Sequence, residues 1–132
     1  MVKEKYKSFD VLIEIPRGSR NKYEYDFKLK RIRFDRMLFS SMMYPADYGF
    51  IPQTLALDGD PLDVLVLINE PTFPGCVMEV KPIGVFHMAD DKGPDEKIIC
   101  VPVSDPIWNS LNNLSDINPH LLKEIEHFFQ VY

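Results

Sequence analysis

The chain has 132 residues, 45% of them hydrophobic, a size and balance that describe one globular domain (1–132) able to bury a core. Its formal net charge of -5 argues against a general nucleic-acid binder, which would carry a basic balance or a basic face. The charged N-terminus MVKEKYKSFD contains no apolar stretch for a signal peptide, and an apolar run such as VLVLI at 64–68 has the size of a buried strand, so no membrane partner is expected.

In chain order, FDVLIEI (9–15), YEYDF (23–27), RIRFDR (31–36), DVLVLI (63–68), VMEVKPIGVFHM (77–88) and KIICVPV (97–103) read as strands. YEYDF and RIRFDR alternate apolar and charged residues, as in a sheet with one wet face, whereas DVLVLI is apolar throughout and should be central. Near the C-terminus the period changes. Leu121, Leu122, Ile125, Phe128, Phe129 and Tyr132 recur at helical spacing, with Asn118 as N-cap and Pro119 at the first helical position. The helical pattern runs into Tyr132 without a cap or glycine and reads as cut short. These elements predict a mainly β (α+β) domain, a small and mainly antiparallel barrel with one helix packed on it. Cys76 and Cys100 have no CxxC spacing and are expected to be reduced thiols of a cytoplasmic protein.

LALDGDPLDVLVL (55–67) places Asp58, Asp60 and Asp63 within six positions at the mouth of an apolar strand. Bunched carboxylates repel one another, so either solvent dissipates the cost in a polar hairpin loop or a cation offsets it. An EF-hand is excluded, because the twelfth residue from Asp58 is Asn69 where that motif needs glutamate. A second acidic turn, MADDKGPDEK (88–97), also sits at a strand edge, and barrel neighbours could bring the two groups together. Oxygen-only ligands favour Mg²⁺ or Mn²⁺ over Zn²⁺. His87, His120 and His127 show no ligand spacing and are expected to be packing or surface residues. No GxSxG elbow or GxxxxGK[ST] loop is present, so if the chain is an enzyme, metal-activated water is the better candidate nucleophile.

IEIPRGSRNKYEYD, then FDR, MMYPADYGFIP, LDGDPLDVLV and the DxxxxDxK turn at 90–97 together resemble the soluble family I inorganic pyrophosphatases of the short prokaryotic type, from about Val11 to Tyr132. The resemblance implies an OB-like five-stranded antiparallel barrel that hydrolyses pyrophosphate to two orthophosphates, with several Mg²⁺ ions per site. It implies metal ligation by Asp58, Asp63 and Asp95, with Asp90 and Glu14 assisting, and proton acceptance by Asp60. Lys22, Arg36, Tyr48, Lys97 and Tyr132 correspond to substrate contacts, with Glu24 and Tyr44 supporting. It further implies a homo-oligomer, a hexamer. In the family, a lysine and a further segment follow the residue matched by Tyr132, so the resemblance implies that this sequence is a truncated or partly recorded form of a longer protein. Two rivals are weighed against this reading. A phosphatase of the haloacid dehalogenase type would need alternating strands and helices. A non-catalytic OB-type module with a structural metal would not need Lys22, Arg36, Lys97 and the tyrosines, and pyrophosphate-dependent phosphate release separates it from an enzyme.

Overall fold

The structure, a computed structural model, describes residues 8–52, 61–90 and 93–131. Asp58, Asp60 and Tyr132 lie outside them, and Asp90 is described as backbone only. Five strands close into a barrel in the order β1 (Phe9–Ile15), β4 (Asp47–Phe50), β5 (Asp63–Val66), β7 (Gly93–Pro102) and β6 (Val77–Asp90). β2 (Asn21–Asp26) and β3 (Arg31–Met37) form a separate hairpin, and helix α1 (Pro119–Val131) follows the barrel. The mainly β architecture with a C-terminal helix is as the sequence pattern predicts.

One join departs from an all-antiparallel ring: β5 and β7 run parallel, pairing Asp63 with Lys97 and Leu65 with Ile99. The cause is the path of the chain. β6 intervenes between them, so β7 returns to the edge of β5 in the original direction. The sequence pattern also gives no sign of β4. Its four residues, DYGF, are too few to show alternation, and Gly49 is a poor strand former. The barrel requires that glycine, since a Cβ there would run into the Leu12 carbonyl and the Ile13 Cα of β1.

Alternate residues along each strand feed two apolar clusters. Val11, Ile13, Val64, Val66, Val80 and Cys100 form one, while Ile15, Leu65, Leu67, Ile99 and Val101 join the helix residues Ile125, Phe128 and Phe129 in the other. Burying each of those helix side chains contributes about 2 kcal/mol and holds α1 to the barrel wall. The helix starts as its sequence implies: Asn118 Oδ1 accepts the His120 N–H at 2.9 Å, and Pro119 is its first residue. Among the described residues, no helix is long and apolar enough to cross a membrane.

Buried polar groups fix the loops. The Asp47 carboxylate, fully buried, accepts the Arg17 N–H (2.7 Å), the Thr72 N–H (3.1 Å) and the Thr72 hydroxyl (2.6 Å), tying two loops to β4. Lys81 Nζ, also buried, donates to the Asn109 carbonyl and to Asn112 Oδ1 (3.0 Å), securing the segment after β7. His87 and His120 are exposed and meet Glu96 (2.9 Å) and Glu124 (3.4 Å), in keeping with surface roles. Cys76 and Cys100 are free thiols, and burial pushes the Cys100 thiol well above its ordinary range.

Candidate active site

The face of the wall that carries Leu65 on β5, and Leu67 just beyond it, also carries Asp63 at the start of the strand. On β7 the same two-residue period puts Asp95 and Lys97 in line with Ile99 and Val101. The apolar ends of both rows pack under α1, and their polar ends open into a cavity of about 490 Å³. Glu14, Lys22, Glu24, Tyr48, Asp63, Asp95 and Lys97 all line it, so most described residues singled out from the sequence share one space. The parallel β5–β7 join brings Asp63 and Asp95, one from each acidic stretch, to the same ammonium, while Asp58 and Asp60 lie outside the described residues.

Lys97 is the centre of the arrangement. Only 4% of the residue is exposed, and its ammonium donates to Tyr48 Oη at 2.8 Å and to Asp63 Oδ2 and Asp95 Oδ2, each at 3.2 Å. The rings of Tyr48 and Phe129 lie 5.1 and 5.3 Å from Nζ, giving the cation aromatic faces as well as carboxylates. Burial raises the Asp63 carboxyl above its usual value, with Asp95 adding to the rise, while Lys97 and a hydrogen bond from Tyr48 oppose it.

Glu14 reaches the cavity through a local irregularity. The β1–β4 register slips between Ile13 and Ile15, and such bulges re-aim a side chain. Its Oε2 accepts the Tyr25 N–H of β2 at 2.8 Å, which links barrel to hairpin. Desolvation pushes its carboxyl up to about 7, with the charges of Asp63 and Glu24 in the same direction and the Tyr25 hydrogen bond and Lys22 opposing.

Two predicted residues stand apart from the cavity. Arg36 faces Lys22 across the β2–β3 ladder, and both bind Asp35 Oδ2, at 2.9 and 3.3 Å. Tyr44 is buried behind the site, its ring 5.7 Å from that of Tyr48 and 4.6 Å from that of Phe128. Sequence reasoning took Phe129 only as a core residue and gave Tyr25, Phe27 and Phe50 no place in the site, yet all four line the cavity. A ring beneath Lys97 or a backbone N–H on Glu14 depends on tertiary packing and leaves no pattern in the chain.

Among the described residues, no three His, Cys, Asp or Glu side chains come close enough to hold a metal ion. The donor chemistry nevertheless suits a hard cation: Asp63 and Asp95 offer carboxylate oxygens, and an ammonium already lies between them.

Known proteins bear on this geometry. The family described as Inorganic pyrophosphatase matches residues 11–132. The inorganic pyrophosphatase of Methanosarcina acetivorans is 69% identical over 122 residues, covering 92% of this chain and 73% of that protein. That of Streptomyces coelicolor is 54% identical over 124 residues, covering 94% and 76%. The crystal structure of inorganic pyrophosphatase from Thermus thermophilus superposes with a TM-score of 0.93 at 48% identity, over 96% of this chain and 72% of that one. With its barrel, its carboxylate–lysine cavity and a family match that starts inside β1 and takes in every element after it, the chain belongs to the inorganic pyrophosphatase family.

Proposed function

We propose that this chain hydrolyses inorganic pyrophosphate to two orthophosphates in the cavity around Lys97, with Mg²⁺ as cofactor and Mn²⁺ as a possible substitute. The observation that carries the reading is the convergence of Lys97 with Asp63, Asp95 and Tyr48 in one half-enclosed space, in a chain of this family. Asp58, Asp63 and Asp95, with Asp90 and Glu14, would hold the ions. Bound there, Mg²⁺ supplies positive charge against the phosphate oxygens and lowers the pKa of water.

The chain's own groups do the rest. Lys22, Tyr48, Lys97 and Tyr132 would hold the phosphates, joined by Arg36 once it leaves Asp35, neutralising a polyanion that would otherwise repel attack. Asp60 takes a proton from water as its oxygen attacks one phosphorus and the bridging P–O bond breaks, the second phosphate leaving. Glu24 adds negative charge near Glu14, and Tyr44 backs the ring of Tyr48. We further place the enzyme in the cytoplasm as a homo-oligomer, a hexamer, which light scattering would measure directly.

Phosphate release from pyrophosphate, with and without Mg²⁺, tests the reading in the chain and in Asp60→Asn. Mg²⁺-dependent release that falls at least about 100-fold in the variant is expected for a lost proton acceptor. Release that is indifferent to Mg²⁺, or equal in the two proteins, would refute the assignment.

A further inference from the structure

We propose that Asp35 is an internal rival for two phosphate cations: its carboxylate competes with phosphate anions for Lys22 and Arg36, and so sets how tightly the site holds substrate and product. The inference rests on Lys22 and Arg36 being phosphate contacts and names the residue that limits their grip.

The backbone puts Asp35 there. In the β2–β3 ladder Lys22 pairs with Arg36 and Tyr23 with Phe34, so Asp35 is the β3 residue left without a ladder partner. A strand in regular register would send Asp35 and Arg36 to opposite faces. The extra residue makes a bulge instead, and a bulge re-aims a side chain. Asp35 Oδ2 thereby lies 2.9 Å from the Arg36 guanidinium and 3.3 Å from Lys22 Nζ. The hairpin's other carboxylate–arginine pair, Asp26 with Arg33, touches neither cation.

The charges say what this carboxylate does. Lys22 and Arg36 are like charges facing each other across the ladder, and one oxygen shared between them offsets their repulsion. A phosphate oxygen is the same kind of acceptor for the same N–H groups, so it gains only the difference between the two partners. Neither pair is sealed off: the Arg36 side chain is 58% exposed and that of Lys22 26%, so an incoming anion can reach both. Lys22 lines the cavity and Arg36 stands outside it, so phosphate recruits Arg36 by drawing it from Asp35. Orthophosphate meets the same rival, which loosens the site's hold on product as well as on substrate.

Calorimetric binding of orthophosphate and of methylenebisphosphonate, a non-hydrolysable diphosphate, to the full chain in Mg²⁺ tests this in wild type, Asp35→Asn, Asp35→Glu and Asp26→Asn. Removing the rival charge should tighten both ligands about five- to tenfold in Asp35→Asn, the range for freeing two exposed cations from ion pairs. Asp35→Glu keeps the charge, and Asp26→Asn removes one from the same hairpin away from Lys22 and Arg36; both should stay within about twofold of wild type. Unchanged affinity in Asp35→Asn would overturn the proposal, and so would weaker affinity, which would mean that Asp35 orients the cations for phosphate. Equal tightening in Asp26→Asn would also sink it, since the net charge of the hairpin would then be the cause. If none of the four proteins binds either ligand, the phosphate reading of Lys22 and Arg36 falls and this inference with it. Circular dichroism checks folding, and should Asp35→Asn fail to fold, Asp35→Ser removes the same charge and carries the same expectation.

Discussion

Replacing Glu14 by glutamine should make the metal-free protein more stable above neutral pH and leave it unchanged in acid. Burial pushes this carboxyl from 4.5 to about 7 in the fold, so the native state holds a proton that the unfolded chain has released. Wherever the native state binds more protons, stability falls as pH rises. The contribution is therefore fully present below pH 4.5, declines between 4.5 and about 7, and is gone above that. At about 1.4 kcal/mol per pH unit the full shift is worth roughly 3 kcal/mol, and the open side of the cavity reduces it to roughly 2 kcal/mol. Glutamine has no proton to lose and still offers an oxygen to the Tyr25 N–H. Urea denaturation in EDTA, followed by the fluorescence of Trp108, would compare the two proteins at pH 5 and pH 8. Near-equal stability at pH 5 and an advantage of roughly 2 kcal/mol for Glu14→Gln at pH 8 are expected. Parallel curves over the whole range would refute the reasoning, since Glu14 would then ionise as it does in the unfolded chain.

Two further substitutions probe the frame. Gly49→Ala drives a methyl group into the Leu12 carbonyl, so β1 and β4 must separate; a loss of about 3 kcal/mol or more in thermal or urea unfolding is expected, and a loss below 1 kcal/mol would mean that the ladder yields easily. Asp47→Ala leaves the Arg17 and Thr72 donors without their buried acceptor and should cost about 2–4 kcal/mol, while Asp47→Asn, which keeps one acceptor oxygen, should recover part of it in the same assay.

The sequence made the strands and helix legible wherever a period ran long enough to be read. β1, β3 and α1 come within a residue of their expected limits because each repeats its pattern over two turns or three pleats. β4 escaped because four residues cannot display a period, and β5 was read two residues too long because its apolar run continues past the last pairing. The parallel join was also hidden, since direction within a barrel depends on where β6 goes and not on any residue of β5 or β7. In the site, residue types with distinctive spacing, such as Asp63, Asp95 and Lys97, could be named from the chain. Their mutual bonding could not, because it follows from the register of strands that lie far apart in sequence. Arg36 shows the limit from the other side: its position was legible, and its ion pair with Asp35 was not.

The parallel join also sets a timetable for synthesis. Asp63 and Lys97 are 34 residues apart, and β6 lies wholly between them. At translation rates of about 5–20 residues per second, Asp63 waits a few seconds for its counter-ion to be made at all. During that interval a nascent chain carries Asp63 without its Lys97 partner, and β5 lacks the strand that will cover its second edge.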